Sequence, residues 1–404
     1  MAVVAGCGGD DDEGAGPTTL NWFVAIQPGG TIEEVAARCS EESDGSYEVE
    51  LELLPTEADQ QREQLVRRLG AEDDSIDIVG MDVIWTAEFA NAGWILPWSG
   101  EQAQQVTEDV FPSVVETASF EGDLYGAPFN SNTEVLFFRE DQVDAPPDNW
   151  QDMIREAVDQ GGLIQVQANR YEGFVVWVNY LIESAGGEIL SGPEEVSLEQ
   201  EPTEEALSVI GELARSPAAP PNLSTSTEDT ARLGFEAGDS SFMLNYTFAY
   251  FSAEENAPDI FENLGVAVLP QVVPNEPSAP PLGGFNLGVS AFSENPDIAF
   301  EAAACLANAD SQLTATELDG LPPTRQNLYQ DQVVQDAFPG FADIVQRSIE
   351  NASPRPLTPA YTDVSLAIQR ALHPPSKIDP ENPTPVYEEL REAVEDAVNR
   401  EGLL

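Results

Sequence analysis

Two rhythms of apolar and polar positions run along this chain. Residues 20–26 read as a strand, and Thr31 then opens a helix to about residue 43, with Glu34 three residues on in the spacing of a capping box. Tyr47–Leu54 alternates strictly, with Tyr47, Val49, Leu51 and Leu53 set against Glu48, Glu50 and Glu52, which predicts a half-buried strand. Residues 59–70 form an amphipathic helical pattern, and 75–79 a short apolar strand running into Gly80, Met81 and Asp82. Three strands alternating with two helices predict βαβαβ units, hence a parallel sheet with right-handed crossovers.

Further on, the pattern predicts a strand over 135–139, helices over 150–160 and 173–185, the second carrying Trp177 as a core residue, then helices over 204–215 and 227–237 and a strand over 241–246. Residues 270–281 contain five prolines and precede a strand over 282–289, where an α/β pattern restarts, as at a crossover between domains. Helices are predicted over 296–308, 331–337, 342–349, 360–372 and 385–400. No internal repeat of fixed period is visible, which argues against a solenoid. In parallel sheets ligands bind beyond the carboxyl ends of the strands, and Gln27 and Asp82 follow the first and third strands, with Gln61 near the start of the second helix.

The 404 residues are 42% hydrophobic, enough for a sizeable core and two domains. Against 73 Asp and Glu stand 16 Lys and Arg, a net charge of -57, and Lys377 is the only lysine. No basic face for phosphates can be assembled, so nucleic acid is excluded as a partner. The charge reads as a solvated acidic surface suited to high salt, which screens its self-repulsion. His373 is the single histidine, so zinc sites built from several histidines are excluded, and neither phosphate-cradling glycine fingerprint occurs. No cofactor, metal or catalytic residue is expected.

No apolar run is long enough to span a bilayer. The first seven residues, ending in small residues before Cys7, look like the tail of a bacterial lipoprotein signal, and the polar, Gly-rich stretch after Cys7 reads as a flexible tether; residues 1–17 are assigned to both. This predicts an extracytoplasmic protein held to the outer face of the cell membrane by a lipid on Cys7. In such an oxidising compartment Cys39 and Cys305 either pair or remain as two buried thiols.

Six fragments then stand in a telling order: residues 77–94, 124–139 and 234–246, followed by Leu282-Gly-Gly-Phe285, Leu321-Pro-Pro-Thr-Arg325 and Ser353-Pro-Arg-Pro356. Through them nearly the whole chain resembles the sugar-binding lipoproteins of bacterial ABC importers, the large extracellular solute-binding family that includes the maltose-binding proteins, and within it the trehalose/maltose-binding branch. The resemblance implies an α/β, two-lobed periplasmic-binding-protein fold of type II, maltose-binding-protein-like, with a hinge and an interlobe cleft. The lobes are expected over 18–132 plus 285–335 and over 133–284 plus 336–404. It implies a monomer, not an enzyme, that binds a disaccharide, trehalose or a related α-glucoside such as maltose, and delivers it to the transmembrane subunits of a permease.

Carried over position by position, the resemblance implies that Gln27, Gln61, Asp82 and Asn132 contact the ligand from the first lobe and hinge, and Glu228, Tyr246, Gly284, Phe285 and Arg355 from the second lobe and the crossover. Carboxylates, amides and an Arg fork can satisfy sugar hydroxyls in pairs, and Tyr246, Phe248 and Phe285 offer faces to the C–H patches of a pyranose. Trp is common in the family where this chain has Tyr246 and Phe285. A glycoside hydrolase needs only two carboxylates, yet no motif here supports one. A polyamine receptor would suit the acidity, but Arg355 and the amide set favour a neutral polyhydroxyl ligand.

Overall fold

The computed structural model describes residues 16–55 and 58–399, so Cys7 and most of its tether lie outside the described residues. The first sheet holds β1 (Thr18–Ala25), β2 (Tyr47–Leu54), β3 (Ile78–Asp82), β4 (Ala127–Asn132), β9 (Pro281–Val289) and β10 (Ser353–Pro354). The second holds β5 (Glu134–Arg139), β6 (Leu163–Gln165), β7 (Ser240–Tyr246) and β8 (Leu264–Ala267). In the first, the strand order is β10-β9-β3-β1-β2, with β4 also on β9; in the second it is β8-β5-β7-β6.

β1 pairs in parallel with both β2 and β3, as the βαβαβ reading requires. It is covered on both sides: Phe23 packs with Leu54, Leu65 and Met81, while Trp22 and Val24 pack with Ile32, Val35 and Phe129. β2, at the edge, keeps Glu48, Glu50 and Glu52 in solvent. Its alternation breaks at the end, where Leu53 is 51% exposed and Leu54 is buried instead. The cause is tertiary, because Leu54 joins the cluster of Phe23 and Leu65, the latter on the helix Ala58–Leu69.

Two local expectations are displaced. The third strand lies at Ile78–Asp82 rather than 75–79, since Ser75 is taken up by Asp73, which accepts from both its amide and its hydroxyl. The helix Thr31–Glu42 starts after Gly30, whose φ of 92° suits glycine, and no capping box forms with Glu34. The Asp319 carboxylate, 288 residues away, accepts from the Thr31 amide at 3.2 Å and from the Thr31 hydroxyl, and caps the helix from another element.

The second sheet is buried along its centre. Val135 and Phe137 of β5 face one cluster with Phe235 and Met243; Leu136 and Phe138 face another with Trp150, Trp177, Phe242 and the C-terminal helices Tyr361–Leu372 and Thr384–Val398. Trp177 is core, as its helical context predicts. Cys39 and Cys305 are joined in a disulfide that ties the helix Thr31–Glu42 to the helix Pro296–Leu306.

The chain passes between the sheets at the buried Thr133, which alone separates β4 from β5, through the proline-rich stretch before β9, and again after β10. At the second crossing Gly284 has a φ of +126°, and a Cβ there would stand 2.1 Å from the Asn130 carbonyl oxygen. Gly284→Ala is therefore expected to cost about 2 kcal/mol of stability, read as a lower urea midpoint. An unchanged midpoint would mean that the backbone relaxes freely at this crossing.

Candidate functional site

Parallel register carries the ends of β1, β2 and β3 to one edge of the first sheet. Gln27 lies half-buried in the turn after β1, Gln61 is buried in the first turns of the helix Ala58–Leu69, and Asp82 is the last residue of β3. Asn132 ends β4 and pairs with Gly283, Gly284 pairs with Ser131, and Phe285 lies between Asp82 and Asn130. A Cβ on Gly283 would sit 3.5 Å from the Asn132 Cβ and 4.0 Å from Arg355 Nη2. The structure thus brings Asp82, Asn132, Gly284, Phe285 and Arg355 together where the chain crosses between sheets.

Arg355 follows β10 directly and is 6% exposed. Its Nη2 donates to Asp82 Oδ1 at 3.4 Å and its Nη1 to Glu172 Oε1 at 2.7 Å. The guanidinium also lies 5.9 Å from the Tyr361 ring centre. Asp82 Oδ1 accepts from the Ile84 amide at 3.1 Å as well, which fixes the turn after β3. Glu172 opens the helix Glu172–Glu183 and accepts from the Tyr361 hydroxyl and, at 2.6 Å, from Ser365 Oγ. One guanidinium therefore joins the first sheet's edge to helices packed on the second.

The other wall comes from β5 and β7, where Glu134 and Tyr246 are cross-strand partners. Tyr246 is half-buried, and burial first, then the charges of Glu134 and Glu228, hold its hydroxyl protonated far above its ordinary range. Glu228 opens the helix Glu228–Glu236, whose start is set by a reciprocal Thr227–Thr230 cap. It adjoins Tyr171: a Cβ on Gly173 would stand 2.2 Å from the Tyr171 hydroxyl and 2.9 Å from Glu228 Oε1. Glu134 is 1% exposed, and burial, reinforced by Glu228, pushes its carboxyl up to about 8. A groove of about 410 Å³ also reaches Arg355 along residues 353–357; on its wall Glu183 is pushed up to about 8 by burial and then by Glu188.

Glu134, Tyr171, Glu172, Tyr361 and Ser365 were not legible as site residues. Glu172 and Ser365 carry no local mark, since each is one of many alike. Glu134 does: it is an acid opening the otherwise apolar run Val135-Leu-Phe-Phe138, and an acid there must be either neutral or partnered. Phe248 is 37% exposed just beyond Tyr246. Among the described residues no cluster of His, Cys, Asp and Glu fits a metal ion, and no helix is long and apolar enough to cross a membrane.

Known proteins share this architecture. The chain is 28% identical over 345 residues to a probable ABC transporter-binding protein of Deinococcus radiodurans, spanning 80% of this chain and 81% of that one. Among solved structures, the maltose-bound MalE3 of T. maritima superposes with a TM-score of 0.81 at 24% identity, covering 94% of this chain and 99% of the other. The GacH receptor of Streptomyces glaucescens, studied unliganded and with acarbose, gives 0.80 at 20% identity, covering 95% and 99%. The fold is thus the two-lobed, maltose-binding-protein-like α/β architecture. Residues 34–340 match the model of the bacterial extracellular solute-binding protein family, and the chain belongs to that family.

Proposed function

We propose that the chain captures a disaccharide, trehalose or a related α-glucoside such as maltose, between its lobes and hands it to the transmembrane subunits of an ABC importer. In this reading it is a monomer, anchored through a lipid on Cys7 at the outer face of the cell membrane, and it leaves its ligand chemically unchanged. The lobes divide in this reading where the chain crosses between the sheets, so the boundaries expected at 284/285 and 335/336 move to the start of β9 and the end of β10. The observation that carries the reading is the bridge Asp82–Arg355–Glu172, which couples the two sheets across the crossings. A ligand that inserts hydroxyls into this bridge exchanges hydrogen bonds with both sides at once, and so favours closure.

In this reading the ligand contacts are Gln27, Gln61 and Asn132, whose amides both donate and accept, Glu228, and the Tyr246 and Phe285 rings, which suit a pyranose face. The backbone turn at Gly284 lets β9 approach β4 closely beside them. The maltose and acarbose of the two similar structures are of the same α-glucoside class.

The test is thermal unfolding in high-salt buffer with trehalose, maltose, sucrose, maltotriose, glucose and spermidine. Ligand at a hundred times its dissociation constant stabilises by about 2.7 kcal/mol, so trehalose or maltose should raise the melting temperature clearly. A shift with spermidine alone, or with none of the sugars, overturns the ligand class. Released glucose after incubation with trehalose would overturn the binding-only role.

A further inference from the structure

Charge is unevenly settled across the cleft. On one side Arg355 is engaged by both Asp82 and Glu172. On the other, Glu134 is buried, and its Oε2 has no hydrogen-bond partner among the described residues. An orphaned acceptor of this kind is costly to bury and asks for a donor that no described residue supplies. The groups facing it are Glu228 at the start of its helix, Tyr246 on β7, and Tyr171 and Tyr180 before and within the helix Glu172–Glu183. Arg170, next to Tyr171 in the chain, is exposed.

These groups suit one kind of ligand atom. Two carboxyls are acceptors when ionised, and phenolic oxygens accept while their rings attract a cation through the π face. A hydroxyl brings one donor to such a wall, whereas an ammonium brings several donors and the compensating charge. We infer that the wall built by Glu134, Glu228, Tyr171 and Tyr246 receives a basic nitrogen, so that the ligand is an amine-bearing α-glucoside: an amino sugar or a nitrogen-containing sugar mimic. The inference rests on the carbohydrate reading above and narrows it.

It has a thermodynamic signature. In the free protein Glu134, pushed up to about 8, keeps its proton at neutral pH. An ammonium arriving beside it favours the ionised form, so the proton leaves to solvent and binding strengthens as pH rises toward 7, by at most about tenfold per pH unit. A neutral sugar buries the carboxyl further, keeps its proton in place and gives an affinity that is flat over that range.

The experiment is calorimetric titration of the full chain with trehalose and with its 2-amino and 4-amino analogues, at about pH 6 and about pH 7, in two buffers of different ionisation enthalpy. The expected result is that at least one amine binds about tenfold tighter than trehalose at the higher pH and releases a proton, and that Glu134→Gln abolishes both the preference and the release. If trehalose binds as tightly as both amines and no proton is released, the inference is overturned while the carbohydrate reading stands. If none of the three binds, both fall. Should Glu134→Gln fail to fold, the proton release and pH slope of the unsubstituted protein decide the matter alone.

Discussion

An Arg355→Ala protein is expected to lose about 3 kcal/mol of folding stability and most of its ligand affinity. Removing the guanidinium leaves the Asp82 and Glu172 carboxylates facing one another without a counter-charge, and stripping one partner from a buried pair typically costs about 3–5 kcal/mol. The lower end applies because the two carboxylates keep side-chain exposures of 22% and 26% and recover some hydration. Glu172 would still accept from Tyr361 and Ser365, so its helix stays placed while the link to β3 is lost. Arg355→Lys should restore part of the stability but not the two-sided bridge, because an ammonium lacks the planar fork that reaches both acids. Urea unfolding with calorimetric titration reads both effects. A midpoint and affinity equal to those of the unsubstituted chain would remove Arg355 from the site.

The paired replacement Cys39→Ala and Cys305→Ala is expected to destabilise by about 2–5 kcal/mol. The disulfide closes a loop with a sequence separation of 266 and pins the first sheet's own helix to one that enters only after the first two crossings. It therefore restrains the unfolded chain strongly and also holds together parts of the first sheet's covering that are distant in sequence. Thiol reductant should lower the melting temperature of the unsubstituted protein by a comparable amount and leave the double variant unmoved. Equal melting with and without reductant in the unsubstituted chain would show that the bond contributes nothing.

Much of the architecture was legible because its signals are local. The strand Tyr47–Leu54, the helix Trp150–Gln160 and the proline-rich crossing before β9 stand where periodicity and turn chemistry put them. What periodicity missed are short elements such as Thr86–Asn91, and helices such as Ala309–Asp319, whose buried side includes Ser311, Gln312 and Thr316. The polar face is stabilised from elsewhere: Gln312 donates to the Pro128 and Ala307 carbonyls and accepts from the Thr324 amide.

The site divides in the same way. Asp82 and Gln27 could be placed at one sheet edge from the sequence because a parallel sheet delivers the ends of its strands there, a consequence of connectivity that the order of elements already contains. Glu172 could not be placed this way, since nothing near it in sequence distinguishes it from the other acids; it became a site residue only when Arg355, 183 positions away, folded against it.

By itself the sequence determined the alternation of strands and helices, the excess of acid and the proline-rich stretch before β9, because hydrophobic period, charge and proline act over a few residues. The tertiary structure alone decided that Cys39 meets Cys305, that Asp319 rather than Glu34 caps the helix at Thr31, and that Glu134 is buried with an oxygen that no described residue satisfies. The physical reason is that each of these depends on which distant group arrives at a given point in space, and desolvation and hydrogen-bond satisfaction take effect only once it has arrived.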